Sequence, residues 1–150
     1  MEATPGATAS TAMVGTPAEF GSRAVAWLID IVIPGIIYFV GFLLFLGDGI
    51  IGLLGILLIL ASFGFWVWNT LLQQGKTGQT IGKGMQGIKL VDDTTAAPVG
   101  IAKALIRAIV AAAMGLLCGV GQIADLLWPL FDDDKKRLTD KILNLSVVKA

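Results

Sequence analysis

Two long apolar runs dominate the hydropathy pattern, Ala24 to Leu46 with one aspartate inside it and Ile50 to Leu72 with no charge at all. About 20 consecutive apolar residues cross a hydrocarbon core roughly 30 Å thick, so each run predicts a membrane span. Only Gly47, Asp48 and Gly49 separate them, which makes the pair an antiparallel hairpin. Gly52, Gly55, Ala61, Ser62 and Gly64 offer small-residue faces for close helix contact, while Trp66, Trp68 and Asn69 approach the far interface. The polar connection from Gln73 to Arg107 sets Lys76, Lys83, Lys89, Lys103 and Arg107 against Asp92 and Asp93, an excess of positive charge that marks a cytoplasmic loop. Within it Gly87 to Val91 has the character of a short strand, as does Leu145 to Val148, and the two are expected to pair.

A third apolar segment, Ala108 to Phe131, is long enough to span but is interrupted by Gly115, Gly119, Gly121, Gln122, Asp125 and Pro129. A single crossing would place the basic C-terminal tail, with Lys135, Lys136, Arg137, Lys141 and Lys149, opposite the Lys-rich loop, against the positive-inside rule. A re-entrant hairpin breaking near Gly119 to Gly121 keeps both basic regions cytoplasmic and lets the strands meet. The second course is favoured, and it requires the segment to pack against the first hairpin or another subunit. The expected fold is an all-α membrane protein: a transmembrane helical hairpin, a third apolar segment that is re-entrant or a single span, and a small cytoplasmic two-strand pairing. Residues 1–20 read as a disordered, cytoplasmic N-terminal tail without the apolar core of a secretory signal, and 21–150 as the membrane domain.

Composition agrees with this class: 55% of residues are hydrophobic, 15% are charged and the mean hydropathy is +0.81. Net charge is zero and no basic stripe is interleaved with aromatics, so no nucleic-acid partner is expected. Histidine is absent and Cys118 is the lone cysteine, which excludes Cys/His metal sites, His-based triads and an intrachain disulfide. No catalytic residue, metal ligand set or cofactor is assigned.

The costly residue is Asp30. An ionised carboxylate near a span's centre costs about 2.5 to 3.5 kcal/mol on insertion scales and needs a partner. Arg23 lies seven residues earlier, nearly on the same helix face, and is the expected counter-ion. Asn69, returned to the same side by the hairpin, is a second candidate partner for Asp30 or Arg23. Pro34 lacks the N–H that would bond the Asp30 carbonyl, and the same five-residue spacing recurs as Asp125 and Pro129. Carboxylates beside helix breaks suit a small cation or a proton, so Asp30 and Asp125 form a candidate site.

Several segments in order resemble the RDD family of small bacterial membrane proteins: R-A-V-A-W-L-I-D from Arg23 to Asp30, G-Q-T-I-G-K from Gly78 to Lys83 followed by G-I-K-L-V-D, and R-L-T-D-K from Arg137 to Lys141. The resemblance implies a bacterial inner-membrane, multi-pass protein and singles out Arg23, Asp30 and Asp140 as characteristic residues. It implies no settled activity, ion transport having been proposed for some members and an accessory role for others. Asp140 is accordingly expected to dock on Arg23 or a loop lysine, locking the C-terminal tail to the hairpin.

The run G-K-T-G-Q-T-I-G-K-G fails as a phosphate loop, since Thr77 stands where that motif needs glycine and Gly84 where it needs a hydroxyl. Asp132 to Asp134 read as a solvated acidic run rather than a metal site. The functional expectation is movement of a small cation or solute through intramembrane carboxylates, with the bilayer and a homo-oligomer or larger membrane-protein partner around it. The alternative is a non-catalytic accessory or assembly subunit, and enzymatic activity is not expected.

Overall fold

The computed structural model describes residues 14–116 and 119–150; Cys118 and the first part of the expected tail lie outside them. Helix α1 covers Phe20–Phe45 and α2 covers Ile50–Val67, with Gly49 at φ +59° in the turn between them. Long apolar sequence, broken in α1 by Arg23 and Asp30, accounts for both helices, and glycine sets their approach. A Cβ on Gly55 would fall 2.2 Å from the Phe45 nitrogen, and one on Gly41 would fall 2.9 Å from the Leu58 Cβ. The Ser62 hydroxyl donates to the Pro34 carbonyl at 2.7 Å, tying the helices together where proline interrupts α1. Only 11% of each helix's most apolar window is covered by the rest of the chain. These helices are therefore not a packed interior.

Beyond α2 the helix continues as a π-helical stretch, Trp68–Gln73, and a last turn, α3, Gln74–Thr77. A short helix α4, Ile81–Met85, leads into β1, Ile88–Asp92. The chain then forms α5, Ile101–Leu116, α6, Val120–Leu127, a 3-10 turn Trp128–Leu130, α7, Leu138–Ile142, and β2, Leu145–Lys149. The expected strand pair is present: β1 and β2 run antiparallel with Ile88 opposite Lys149 and Asp92 opposite Leu145. Ile88, Leu90, Leu145 and Val147 are buried in a small core with Ala18, Ala26, Val99 and Ala104. Apolar burial between sheet and helices is what holds this end of the molecule together.

The third apolar segment is broken where its glycines predicted. Gly119 adopts φ +72°, a left-handed conformation that costs glycine little, and α6 turns back onto α5. A Cβ on Gly121 would lie 2.8 Å from the Met114 carbonyl oxygen, so the return leg runs against α5 backbone. Helix α5 starts at Ile101, earlier than the apolar run, and carries Lys103 and Arg107 on its first turns.

The expected disorder of residues 1–20 needs correction for the residues described. The Ala18 N–H donates to the Val147 carbonyl, and the Lys149 N–H donates to the Thr16 carbonyl, both at 2.9 Å, while Pro17 bridges Val148. This stretch covers the outer edge of β2. Small residues that look featureless in sequence suit a segment lying against Val148, where a side chain on Gly15 would be in tight contact at 3.3 Å.

Candidate functional site: a charged cavity at the foot of the hairpin

A cavity of about 290 Å³ opens between the first turns of α1, the π-helical end of the second helix and the α5/α6 pair. Its wall is amphipathic. Trp27, Ile31, Trp66 and Leu126 line it together with the charged Arg23, Asp30, Lys83, Arg107, Asp125 and Arg137. Helix capping, close glycine packing and buried ion pairing place these groups.

Asp30 is held by three donors. The Asn69 amide reaches Oδ1 at 2.9 Å, the Gly82 N–H reaches the same oxygen at 2.9 Å, and the Thr80 hydroxyl reaches Oδ2 at 2.5 Å. Asn69 also accepts from the Ile81 N–H at 2.8 Å, so one side chain of the second helix fixes both Asp30 and the start of α4. Thr80 caps α4, accepting from the Lys83 N–H at 3.2 Å. Asp30 thus meets free backbone donors where negative charge is favoured. Gly82 makes the contact feasible, since a Cβ there would lie 2.1 Å from the Ala26 carbonyl oxygen on α1. The G-Q-T-I-G-K segment is a docking element for Asp30.

The expected Arg23–Asp30 pair does not form. Arg23, 6% exposed, spans from α1 to the C-terminal region, donating to the carbonyls of Lys135 and Val147, the second at 2.9 Å. Local spacing favoured the pairing, but Asp30 is satisfied by donors at α4, and Arg23 reaches carbonyls more than a hundred residues away in sequence. The expected docking of Asp140 on Arg23 or a loop lysine is likewise replaced. Asp140, fully buried, accepts from Arg107 Nε at 2.7 Å. Burial works to raise the Asp140 carboxyl, while Arg107, Arg137 and Lys83 hold it below the usual carboxylate range. The three residues the resemblance marks stand at one end of the molecule but do not pair with one another.

Asp125 and Asp30 line the same cavity, as the repeated Asp-x-x-x-Pro spacing led one to ask, but each is engaged separately. The Thr139 N–H and hydroxyl donate to Asp125 Oδ1 at 2.7 and 2.5 Å. Among the described residues no three metal-type ligands come together. The R-L-T-D-K segment is therefore a second docking element, its threonine bound to α6 and its aspartate to α5.

Lys83 donates to Gln74 Oε1 at 3.2 Å. Burial and the neighbouring Arg107 push its ammonium down to about 7, against the opposing pull of Asp30 and Asp140. Further out, Lys103 pairs with Asp92, Lys136 with Asp93 and Lys141 with Asp132, so the acidic run is joined to the basic tail. Sequence reasoning did not assign roles to Thr80, Gly82, Arg107, Arg137 and Thr139. Thr80, Gly82, Arg137 and Thr139 belong to the ordered motifs quoted above, and Arg107 carried only the signal of a positive charge closing the basic loop.

Residues 17–144 match the model of the RDD family. The chain belongs to the RDD family. It is also similar to two curated mycobacterial proteins. The proline-rich antigen homolog of Mycobacterium tuberculosis strain H37Rv is 33% identical over 87 residues, covering 58% of this chain and 35% of that protein. The proline-rich antigen of Mycobacterium leprae is 31% identical over 84 residues, 56% of this chain and 32% of that protein. The matched stretch thus spans about a third of each relative's length. No solved structure matches.

Proposed function

We propose that this RDD-family chain is a multi-pass protein of the bacterial inner membrane that passes a small solute through the cavity at the foot of its hairpin. The carrying observation is the cavity itself, a mostly apolar space set with charged side chains, between two apolar helices and a broken helix pair. Charged residues at membrane depth face bundle interiors and mark solute or proton pathways. Broken helices supply the non-helical backbone that such pathways use. The π-helical stretch bordering the cavity is a further feature of the kind found at functional positions. In this reading α1 and α2 cross the bilayer, α5 and α6 enter and return, and both basic regions and the N-terminus lie on the cytoplasmic side. A second copy or a larger membrane protein completes the wall, because two spans alone cannot enclose a path.

Flux from reconstituted vesicles tests this directly. Proteoliposomes challenged in turn with gradients of Na⁺, K⁺, H⁺, chloride and phosphate, read by solid-supported-membrane currents and an internal pH dye, should respond to at least one gradient. Asp30→Asn should abolish that response. Silence across the whole panel, together with stoichiometric recovery of a larger membrane protein from native membrane, would establish the accessory-subunit reading instead.

A further inference from the structure

The carboxylates of the cavity are occupied by the protein's own donors, whereas of its cations only Arg107 is paired with a carboxylate among the described residues. Four cationic side chains line the space, Arg23, Lys83, Arg107 and Arg137, against Asp30 and Asp125 on the wall and Asp140 just behind it. Arg107 takes Asp140, Asp30 is saturated by Asn69, Thr80 and Gly82, and Asp125 is bound by Thr139. Among the described residues neither Arg23 nor Arg137 lies within ion-pair distance of a carboxylate. Arg23, more than nine-tenths buried, spends its donors on two neutral carbonyls, and its Nε is buried without a hydrogen-bond partner. The Arg137 side chain has no hydrogen-bond partner among the described residues. A buried guanidinium such as Arg23 is costly without an anion, Arg137 beside it is half-buried, and the guanidinium fork fits phosphate oxygens in a bidentate manner.

We infer that the cavity is an anion site that takes one phosphate-type oxyanion, held by Arg137 and Arg23. This deepens the solute reading above, and the class of ligand it names is anionic where the sequence alone pointed to a cation. Trp27, Ile31 and Trp66, on the two long helices, are among the apolar residues of the wall, so the oxyanion is either free in solution or the headgroup of an amphiphile whose tail leaves past those residues.

The experiment measures thermal unfolding of the purified full chain by tryptophan fluorescence. In neutral detergent, inorganic phosphate at constant ionic strength should raise the midpoint in a saturable manner, relative to chloride. In nanodiscs, phosphatidylglycerol should raise it relative to phosphatidylcholine alone. A free-phosphate effect identifies the soluble source, and a phosphatidylglycerol effect without one identifies the headgroup. Arg137→Gln, which breaks no side-chain hydrogen bond or close ion pair among the described residues, should abolish whichever effect is seen, and Arg137→Lys should keep part of it. No rise with either probe overturns the site, as does a rise of equal size in Arg137→Gln. Binding without flux in the vesicle assay would leave the anion site standing and defeat the transport reading; flux of a cation without phosphate or headgroup binding would do the reverse.

Discussion

Asp140 accepts from Arg107 in a site with no exposure of the carboxylate residue, and Arg107 has little. Removing one partner of such a pair strands the other charge and costs about 3 to 5 kcal/mol, far more than a surface pair. Asp140→Ala and Arg107→Gln should each lower the unfolding midpoint sharply, and the double variant should lose much less than the sum. An additive cycle would mean that the two do not act as a pair. Lys83 gives a prediction of opposite sign. Its folded pKa of about 7 lies below the value near 10.4 of an unfolded lysine, so between those values the unfolded chain binds the extra proton. Stability from this group therefore rises as pH increases from 7 toward 10. Unfolding in urea at pH 7 and pH 9 should show that rise in the natural chain, and Lys83→Met should flatten it. Residue identity alone could not place these partners. Arg23 and Asp30 share a helix face, yet their bonds are decided by groups on α4, β2 and the loop before α7, which spacing along one helix does not report.

Among the elements, α4 is the piece on which the site depends, because it presents Thr80 and Gly82 to Asp30 while lying against the backbone of α1. Gly82→Ala forces a carbon to within 2.1 Å of the Ala26 oxygen and should displace α4 and lower the unfolding midpoint. Gly35→Ala meets nothing within 4 Å and should be neutral or raise the midpoint, since alanine favours a helix interior by about 1 kcal/mol over glycine. A comparable loss from both substitutions would deny the close α1–α4 contact. The hairpin helices and both strands are legible in the sequence because hydropathy runs and β-rich tetrads are local signals. The break near Gly119 is legible for the same reason. The bridge of Pro17 to Val148 and the backbone bonds around it are not, because their only cue is the unpaired edge of β2 that this stretch covers.

At the scale of the whole molecule, the pairing of β1 with β2 fixes the course of the chain. The loop before α5 and the tail after α6 meet there, so α5 and α6 start and finish at the same end of the molecule. That return brings Arg107, Asp125 and Arg137 to the cavity that α1 opens. The most direct test is side-specific labelling of single cysteines in a Cys118→Ser background, using Met85→Cys beside α4, Lys149→Cys in β2 and Asp48→Cys in the hairpin turn. In sealed, oriented membranes a membrane-impermeant maleimide should reach positions 85 and 149 from one side and position 48 from the other. Labelling of 149 from the same side as 48 would mean that the third segment crosses, that the strands cannot meet in the membrane, and that the cavity described here does not exist.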